Sequence, residues 1–298
     1  MAHPRAEKSR VWLSVLEEIQ QKGCVVKTEI SRYAGHSREL AASLASQASL
    51  MVVLGGDGTI HEVVNGLFDA QGDGPKPTLA CVPLGTGNDH CRGLGIRLER
   101  ELLVDMLLGD RRRPMDLARV TCTGFDRRPV SVYSGCGVSA GFAAEVARRT
   151  DLLAAKSNLK GISYSVALLM CLTGYRNLRG MVEVDGEQRG LTHLFNLNVC
   201  NIRYYGGGMV AAPRADPFDG RLDVVSMELN RLEVLANLPR NYNGNFDGVA
   251  GVRQETCTRV HLTTFSRPGL VQADGQVVGF TPLAVEVVPG ALEVLLPP

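Results

Sequence analysis

The sequence predicts a two-domain chain, an α/β domain over residues 1–115 followed by a β-rich, antiparallel, sandwich-like domain over 116–283. Three observations carry this. Apolar runs of strand length alternate with helical patterns up to residue 115, the mark of a parallel α/β sheet. Two of those runs end in glycine-rich turns that carry an aspartate. From Met115 the texture changes to short strands separated by turns.

Residues 7–22 read as a helix, with Trp12, Val15, Leu16 and Ile19 on one face and Gly23 as its stop. Residues 24–30 read as a strand. A second helix is expected over 37–47, with Ser37 as N-cap and Leu40 and Leu44 facing inward. Residues 50–54, Leu-Met-Val-Val-Leu, form a short buried parallel strand. Gly55-Gly56-Asp57-Gly58-Thr59 follows at once. Ile60, Val63, Val64 and Leu67 then fall on one helical face, and Thr59 with Glu62 has the spacing of a capping box, so a helix over 59–69 is expected to start at Thr59. A loop over 71–77 leads to a strand over 79–84. That strand enters the second turn, Pro83-Leu84-Gly85-Thr86-Gly87-Asn88-Asp89. A helix ending at Leu108 is closed by Arg111-Arg112-Arg113-Pro114. This arginine run reads first as a solvated loop and second as a contact for phosphate or anionic lipid. A doubly wound sheet usually opens on a strand and this chain opens on a helix, so either that strand is lacking or the sequence starts late.

In the second part, strands are expected over 117–120, 130–133, 180–184, 194–199, 222–228, 259–264, 271–273, 284–288 and 292–295. Asp185-Gly186 marks a turn. Gly135, Gly137 and Gly141 punctuate a loop before a helix over 142–149, and 162–175 reads as a buried helix.

The two turns hold the chemistry. Glycines let backbone approach a ligand closely, and a helix start offers unpaired N–H groups to an anion. Asp57 lies where a phosphate would bind, and two negative groups there call for a cation between them, most simply Mg²⁺. Asp89 supplies a second carboxylate at a neighbouring strand end, a pairing that suits metal-assisted phosphoryl transfer. Asn88-Asp89 read alone is equally a helix N-cap. A net charge of +1 gives no electrostatic case for nucleic acid. The eight cysteines form no Cys-x-x-Cys pair, which suggests neither a zinc site nor a disulfide framework and fits a reducing cytosol. The N-terminus lacks the apolar core of a signal peptide, and the apolar stretch over 162–172 is too short to span a bilayer. Any membrane contact is expected to be peripheral.

Taken in order, these residues resemble the lipid kinases with a diacylglycerol-kinase catalytic domain, including sphingosine and ceramide kinases and the stand-alone bacterial members. The matching stretches are Gly55–Thr59 with Glu62-Val63-Val64-Asn65-Gly66, and Pro83–Asp89. Met115-Asp116-Leu117 follows, then Asn201 with Gly206-Gly207-Gly208-Met209. Ala212-Pro213-Arg214-Ala215, Asp219-Gly220-Arg221-Leu222-Asp223 and Asp274-Gly275 complete the set. The resemblance implies a two-domain fold shared by NAD kinases and diacylglycerol kinases, with the last strand, about 284–298, returning to the first domain. It implies that Gly55, Gly56, Asp57, Gly58 and Thr59 hold ATP phosphates, that Gly85, Thr86 and Asn88 line the nucleotide, and that Asp57 and Asp89 serve Mg²⁺. It implies a structural metal at Asp219 with carbonyls of Asp216 and Arg221. It also implies a lipid substrate, most simply diacylglycerol, taken at the membrane surface by a cytoplasmic protein and held in an apolar cleft of the β-rich domain. Strand edges there suit a homodimer.

Two departures stand out. The family carries Asp-Gly-Glu near its C-terminus with Glu as general base, and here the sequence is Asp274-Gly275-Gln276. Gln orients a hydroxyl but does not take its proton near neutral pH, and losing a base costs on the order of 10²–10⁴ in rate. The family also opens with a strand and Asn-Pro-x-Ser/Ala-Gly, which His3-Pro4-Arg5-Ala6-Glu7 matches only in part. The alternatives are therefore a catalytically weak lipid- or nucleotide-binding homologue and, less favoured, an NAD kinase, which shares Gly-Gly-Asp-Gly-Thr.

Overall fold

The computed structural model describes residues 1–2, 8–70, 75–156 and 163–298. The His3–Glu7 match, most of the 71–77 loop and Ile162 lie outside the described residues. The chain divides into two compact units: Met1–Leu117 with Gly206–Gly208 and Pro289–Pro298, and Ala118–Tyr205 with Met209–Val288. Gly206–Gly208, inside the range expected for the β-rich domain, groups with the first unit.

The first unit opens on α1 (Arg10–Gln21), capped by Ser9, whose Oγ accepts from Trp12 N at 3.4 Å. Trp12, Val15 and Ile19 are buried, and Gly23 leaves the helix with φ of 89°. The strand expected over 24–30 does not form. Only Ile30 pairs, in a single bridge with Ala2, and Val25 is fully exposed, so the segment has no sheet face to bury. Beside the first strand lie Met1 and Ala2 instead: Met1 N donates to Val52 O at 2.6 Å and Leu54 N donates to Met1 O at 2.8 Å.

Next come α2 (His36–Leu44), β1 (Leu50–Gly55) and α3 (Asp57–Asp69). α2 starts one residue before Ser37, on a left-handed Gly35, and buries Ser37 and Ala41 rather than Leu40 and Leu44. The reason lies in α3. A Cβ on Gly66 would sit 2.2 Å from Arg38 O and 2.8 Å from Ala41 Cβ, so the helices cross on small residues and leave no room for leucine. α3 itself begins at Asp57, two residues before the expected Thr59. The expected capping box is absent, because Glu62 Oε1 accepts from Gly35 N at 2.9 Å. Ile60, Val63, Val64 and Leu67 are buried, and each such side chain contributes about 1.5–3 kcal/mol.

β2 (Thr78–Pro83) pairs parallel with β1, and Val294 of the returning C-terminal segment pairs parallel with Leu79. α4 (Asp89–Gly93), α5 (Arg100–Leu108) and β3 (Arg112–Thr123) complete the run. The arginine run is therefore not a free loop. Arg112 starts a strand and reaches Thr78 Oγ1 at 3.2 Å, and Arg111 donates to Pro297 O at 2.7 Å. Buried Asp116 accepts from Gly290 N at 2.8 Å and so fastens the return of the chain to this unit.

The second unit holds β4 (Pro129–Ser134), β5 (Gly137–Gly141), α6 (Phe142–Lys156), α7 (Ser163–Gly174), β6 (Leu178–Val184), β7 (Glu187–Leu194), β8 (Asn196–Cys200), β9 (Tyr204–Tyr205), β10 (Met209–Val210) and β11 (Leu222–Met227). α8 (Arg231–Asn237), β12 (Val252–Cys257), β13 (Arg259–Thr264), β14 (Leu270–Ala273) and β15 (Gln276–Leu295) follow, β15 passing into the first unit at Pro289. Its strands run antiparallel in the order β12-β11-β8-β5-β14-β15-β13-β6-β7. Val138, Val199, Val224, Val271 and Val285 belong to its core.

Several expectations need correction here. The glycine-punctuated loop over 135–141 is in part a strand, β5. Its small residues suit a position between β8 and β14, where a Cβ on Gly137 would meet Val199 O at 2.9 Å. The helix over 162–175 is buried on one side only, since Val166, Leu169 and Met170 are exposed. The strand over 194–199 is split at Phe195, whose backbone bonds Met227 O and Phe142 N. The two last strands are one, β15, running through Pro289-Gly290. α8 and β12 carried no apolar period. α8 is signalled instead by its capping box, Asn230 with Glu233.

Gly66→Ala tests the α2–α3 crossing. In an open helix this change stabilises by about 1 kcal/mol. Here it is expected to destabilise by about 1–3 kcal/mol, the cost of overpacking, read by urea denaturation.

Candidate active site

The site in the first unit is built from two strand ends. β1 delivers Gly55 and Gly56, and β2 delivers the 84–88 turn beside them, with Leu84 N bonded to Gly55 O at 3.0 Å. The two turns touch through backbone. A Cβ on Gly85 would lie 2.2 Å from Gly56 Cα, and one on Gly56 would lie 2.9 Å from Gly85 Cα. Only glycine at both positions permits that approach. Asn88 closes the second turn on itself: Gly85 N donates to its Oδ1 at 2.8 Å, and its Nδ2 donates to Gly85 O at 2.9 Å. It does occupy the N-cap position of α4, at φ of 56°, yet its side chain makes no capping bond.

Both aspartates are brought together. Asp57 heads α3, where the helix dipole favours negative charge, and its Oδ1 accepts from His90 N at 2.9 Å. A Cβ on Gly87 would meet Asp57 Oδ2 at 2.8 Å and Asp89 Oδ2 at 3.8 Å, so the two carboxylates converge on Gly87. Asp89 is buried, pairs with Arg92, and accepts from Gly207 N at 2.7 Å. Burial raises the Asp89 carboxyl above its ordinary value, and the nearby Asp57 charge adds to the rise. The Gly207 and Gly208 amides and Arg92 oppose it. Gly56, Gly58 and Thr59 are half-buried, whereas Gly85 and Thr86 are exposed.

Sequence reading passed over Arg92 and gave Gly206–Gly208 no role. The signal for Arg92 was its i, i+3 spacing from Asp89. The signal for the triglycine run was its backbone. Gly206, Gly207 and Gly208 have φ of 59°, 87° and 107°, a path that favours glycine and that turns two N–H groups onto Asp89.

The remaining predicted residues belong to the second unit. Gln276 is the first residue of β15, directly across from Ala273. Asp274, in a left-handed conformation, accepts from Ser134 Oγ at 2.6 Å, Cys136 N at 2.8 Å, Gly135 N at 3.2 Å and Gly137 N at 3.3 Å. It is the anchor of the 134–137 turn. Asn201 steadies the same turn through Gly135 O at 2.9 Å. Asp216 and Asp219 are exposed and close local turns, accepting from Phe218 N at 3.1 Å and Arg221 N at 2.9 Å. No cluster of three or more His, Cys, Asp or Glu residues suited to a metal occurs among the described residues.

Two family descriptions match the chain: the diacylglycerol kinase catalytic domain over residues 3–120, and the YegS C-terminal NAD kinase beta sandwich-like domain over residues 136–296. The chain belongs to this family of lipid kinases, whose two domains meet in sequence where the α/β texture gives way to antiparallel strands. It is 30% identical over 264 residues to a diacylglycerol kinase of Mycobacterium tuberculosis (strain CDC 1551 / Oshkosh), covering 87% of this chain and 80% of that one. A solved diacylglycerol kinase from Bacillus anthracis str. Sterne shares the fold at a TM-score of 0.72 and 17% identity, covering 100% of this chain and 95% of that one. An NAD kinase from Archaeoglobus fulgidus, solved with ATP, shares it more distantly, at a TM-score of 0.54 and 14% identity over 99% of this chain and 91% of that one. The architecture is thus the two-domain fold common to NAD kinases and diacylglycerol kinases.

Asp274→Ala leaves the amides of Gly135, Cys136 and Gly137 without this acceptor, while the Ser134 hydroxyl keeps Gly137 O at 3.0 Å. A loss of about 2–4 kcal/mol is expected, with amide exchange accelerated over 134–137 before the rest of the chain.

Proposed function

We propose that this chain is an ATP-dependent kinase that transfers the γ-phosphoryl group to a hydroxyl of diacylglycerol or a related lipid. The observation that carries the reading is the convergence of Asp57 and Asp89 on Gly87, at the mouth of two glycine turns in backbone contact. Gly55, Gly56, Gly58 and Thr59 line the start of α3, where the helix dipole favours phosphate oxygens. Gly85, Thr86 and Asn88 face the rest of the nucleotide. The donor set suits a divalent cation, because two acids share one site and the charge of one disfavours ionisation of the other. Mg²⁺ held by Asp57 and Asp89 would neutralise charge on the transferred phosphoryl group.

Gln276 then orients the lipid hydroxyl, and Asp57 is the carboxylate that accepts its proton. A structural cation at Asp219 and the carbonyls of Asp216 and Arg221 belongs to the same reading. So do peripheral action on the cytoplasmic face of a membrane and pairing of copies through the sheet edges at β7 and β12. Among the described residues no helix is long and apolar enough to cross a membrane. A second reading, a lipid- or nucleotide-binding homologue with weak turnover, is favoured by one residue, Gln276 in place of the family's base.

Labelling of a lipid panel with γ-labelled ATP tests both. The native chain is expected to label diacylglycerol or a close relative, and Asp57→Ala to lower the rate by about 10²–10⁴. Equal labelling by Asp57→Ala removes the proposed metal site. A silent native chain that Gln276→Glu awakens establishes the second reading, and phosphorylation of NAD by the native chain would replace both.

A further inference from the structure

Across the second unit runs a row of buried polar side chains to which the phosphoryl-transfer reading gives no role. Asn198 on β8, Ser139 on β5 and Gln272 on β14 stand opposite one another in register, and Asn196 shares their face of β8. Each is 8% exposed or less. Their neighbours Val138, Val199 and Val271 enter the apolar core, so the polar row lies on the other face of the sheet, where α6 packs on β5 and β14.

The row is one directed chain of hydrogen bonds. Gly275 N donates to Gln272 Oε1 at 2.6 Å, Gln272 Nε2 donates to Ser139 Oγ at 2.8 Å, and Ser139 Oγ donates to Asn198 Oδ1 at 2.7 Å. From the other end, Ala143 N donates to Asn196 Oδ1 at 2.9 Å, and Asn196 Nδ2 donates to Asn198 Oδ1 at 2.8 Å. A backbone N–H only donates, so the two backbone ends fix every direction between them. Reversing the Gln272 amide would set its NH₂ group against the Gly275 N–H.

An apolar row would fill this layer at lower cost. Buried polar groups are tolerated only when bonded, and Asn198 Nδ2 has no partner among the described residues. What the row adds is position, and it acts at the turn between β14 and β15. Asp274 and Gly275 form that turn, with φ of 50° and 83°, the pattern of type I′. The two residues are held separately. Asp274 is fixed to the 134–137 turn by its side chain, and Gly275 is held through its amide by Gln272. The β14–β15 register also shifts between Val271 and Gln272, and irregularities of this kind re-aim nearby side chains. Gln276 is the next residue of the chain.

We propose that Gln272 is a positioning residue that sets the Asp274-Gly275 turn and, through it, Gln276. Its effect on phosphoryl transfer rests on the kinase reading above, whereas the setting of the turn does not.

Gln272→Met removes both bonds at nearly constant volume. Amide exchange of the full chain without ligand, followed by nuclear magnetic resonance, should then quicken at Gly275 by about 5- to 10-fold, the worth of one hydrogen bond. Gln272→Glu, which accepts from Gly275 N in either protonation state, should restore the native exchange. In lipid labelling with γ-labelled ATP, Gln272→Met should lower kcat by up to about 10²-fold with KM for ATP unchanged, and Gln272→Glu should recover most of the loss. Added to Gln276→Ala, Gln272→Met should cost nothing more, because it acts through that side chain. Ser139→Ala loosens the same row less and takes the place of Gln272→Met in both measurements if that variant fails to fold. Unchanged exchange at Gly275, or losses that add in the double variant, overturns the proposal. A native chain that labels no lipid overturns the kinase reading instead, and exchange at Gly275 still decides whether Gln272 sets the turn.

Discussion

Contact between the backbones of Gly56 and Gly85 governs the geometry of the first unit's site. Two parallel strands end side by side, and their turns must pass without side chains between them. Beside that contact, Asp57 from one turn and Asp89 from the next converge on the same side of Gly87. Neither acid alone distinguishes a phosphate site from an ordinary turn. Held together, they share one buried setting, where burial first and the Asp57 charge after it raise the Asp89 carboxyl above its ordinary value. Arg92 and the Gly207 and Gly208 amides oppose that rise.

The second unit solves a similar problem in the opposite way. Asp274 is also a carboxylate in a tight turn, but three amides and a serine hydroxyl surround it. Its charge is spent on structure. The same hairpin carries Gln276, a side chain that does not ionise. One hairpin thus joins a firmly fixed acid to a neutral neighbour, and the acid–base character of this region is lower than its family pattern implies.

Much of this was legible in the sequence wherever side-chain identity and backbone demand coincide. Gly55–Thr59 and Gly85–Asp89 announced both turns, because glycines straight after an apolar strand mark where the chain bends. The change of texture at Met115 lies close to the division between the two units, which falls after Leu117. Legibility failed where packing decides between options that the residues leave open. Residues 24–30 have the composition of a strand but no face to cover. Gly137–Gly141 has the composition of a loop, yet its small side chains fit between two strands. Leu40 and Leu44 looked like the buried face of α2 until Gly66 set how close the helices come. Arg92 and Gly207 escaped notice because their importance lies in what they do to Asp89, which no local pattern records.

The path of the chain has a consequence for its synthesis. Asp89 is completed by Gly207, and β2 is flanked by Val294, so the first unit depends on residues made long after its own strands emerge. Asp116 waits for Gly290 in the same way. A nascent chain stopped after residue 120 holds both aspartates but lacks the amides that bind one of them and the strand that covers the sheet. Pairings this distant in sequence form late, since closing the intervening chain costs entropy before any contact repays it. The first unit is therefore completed only by residues made after most of the second, although its own strands are translated first.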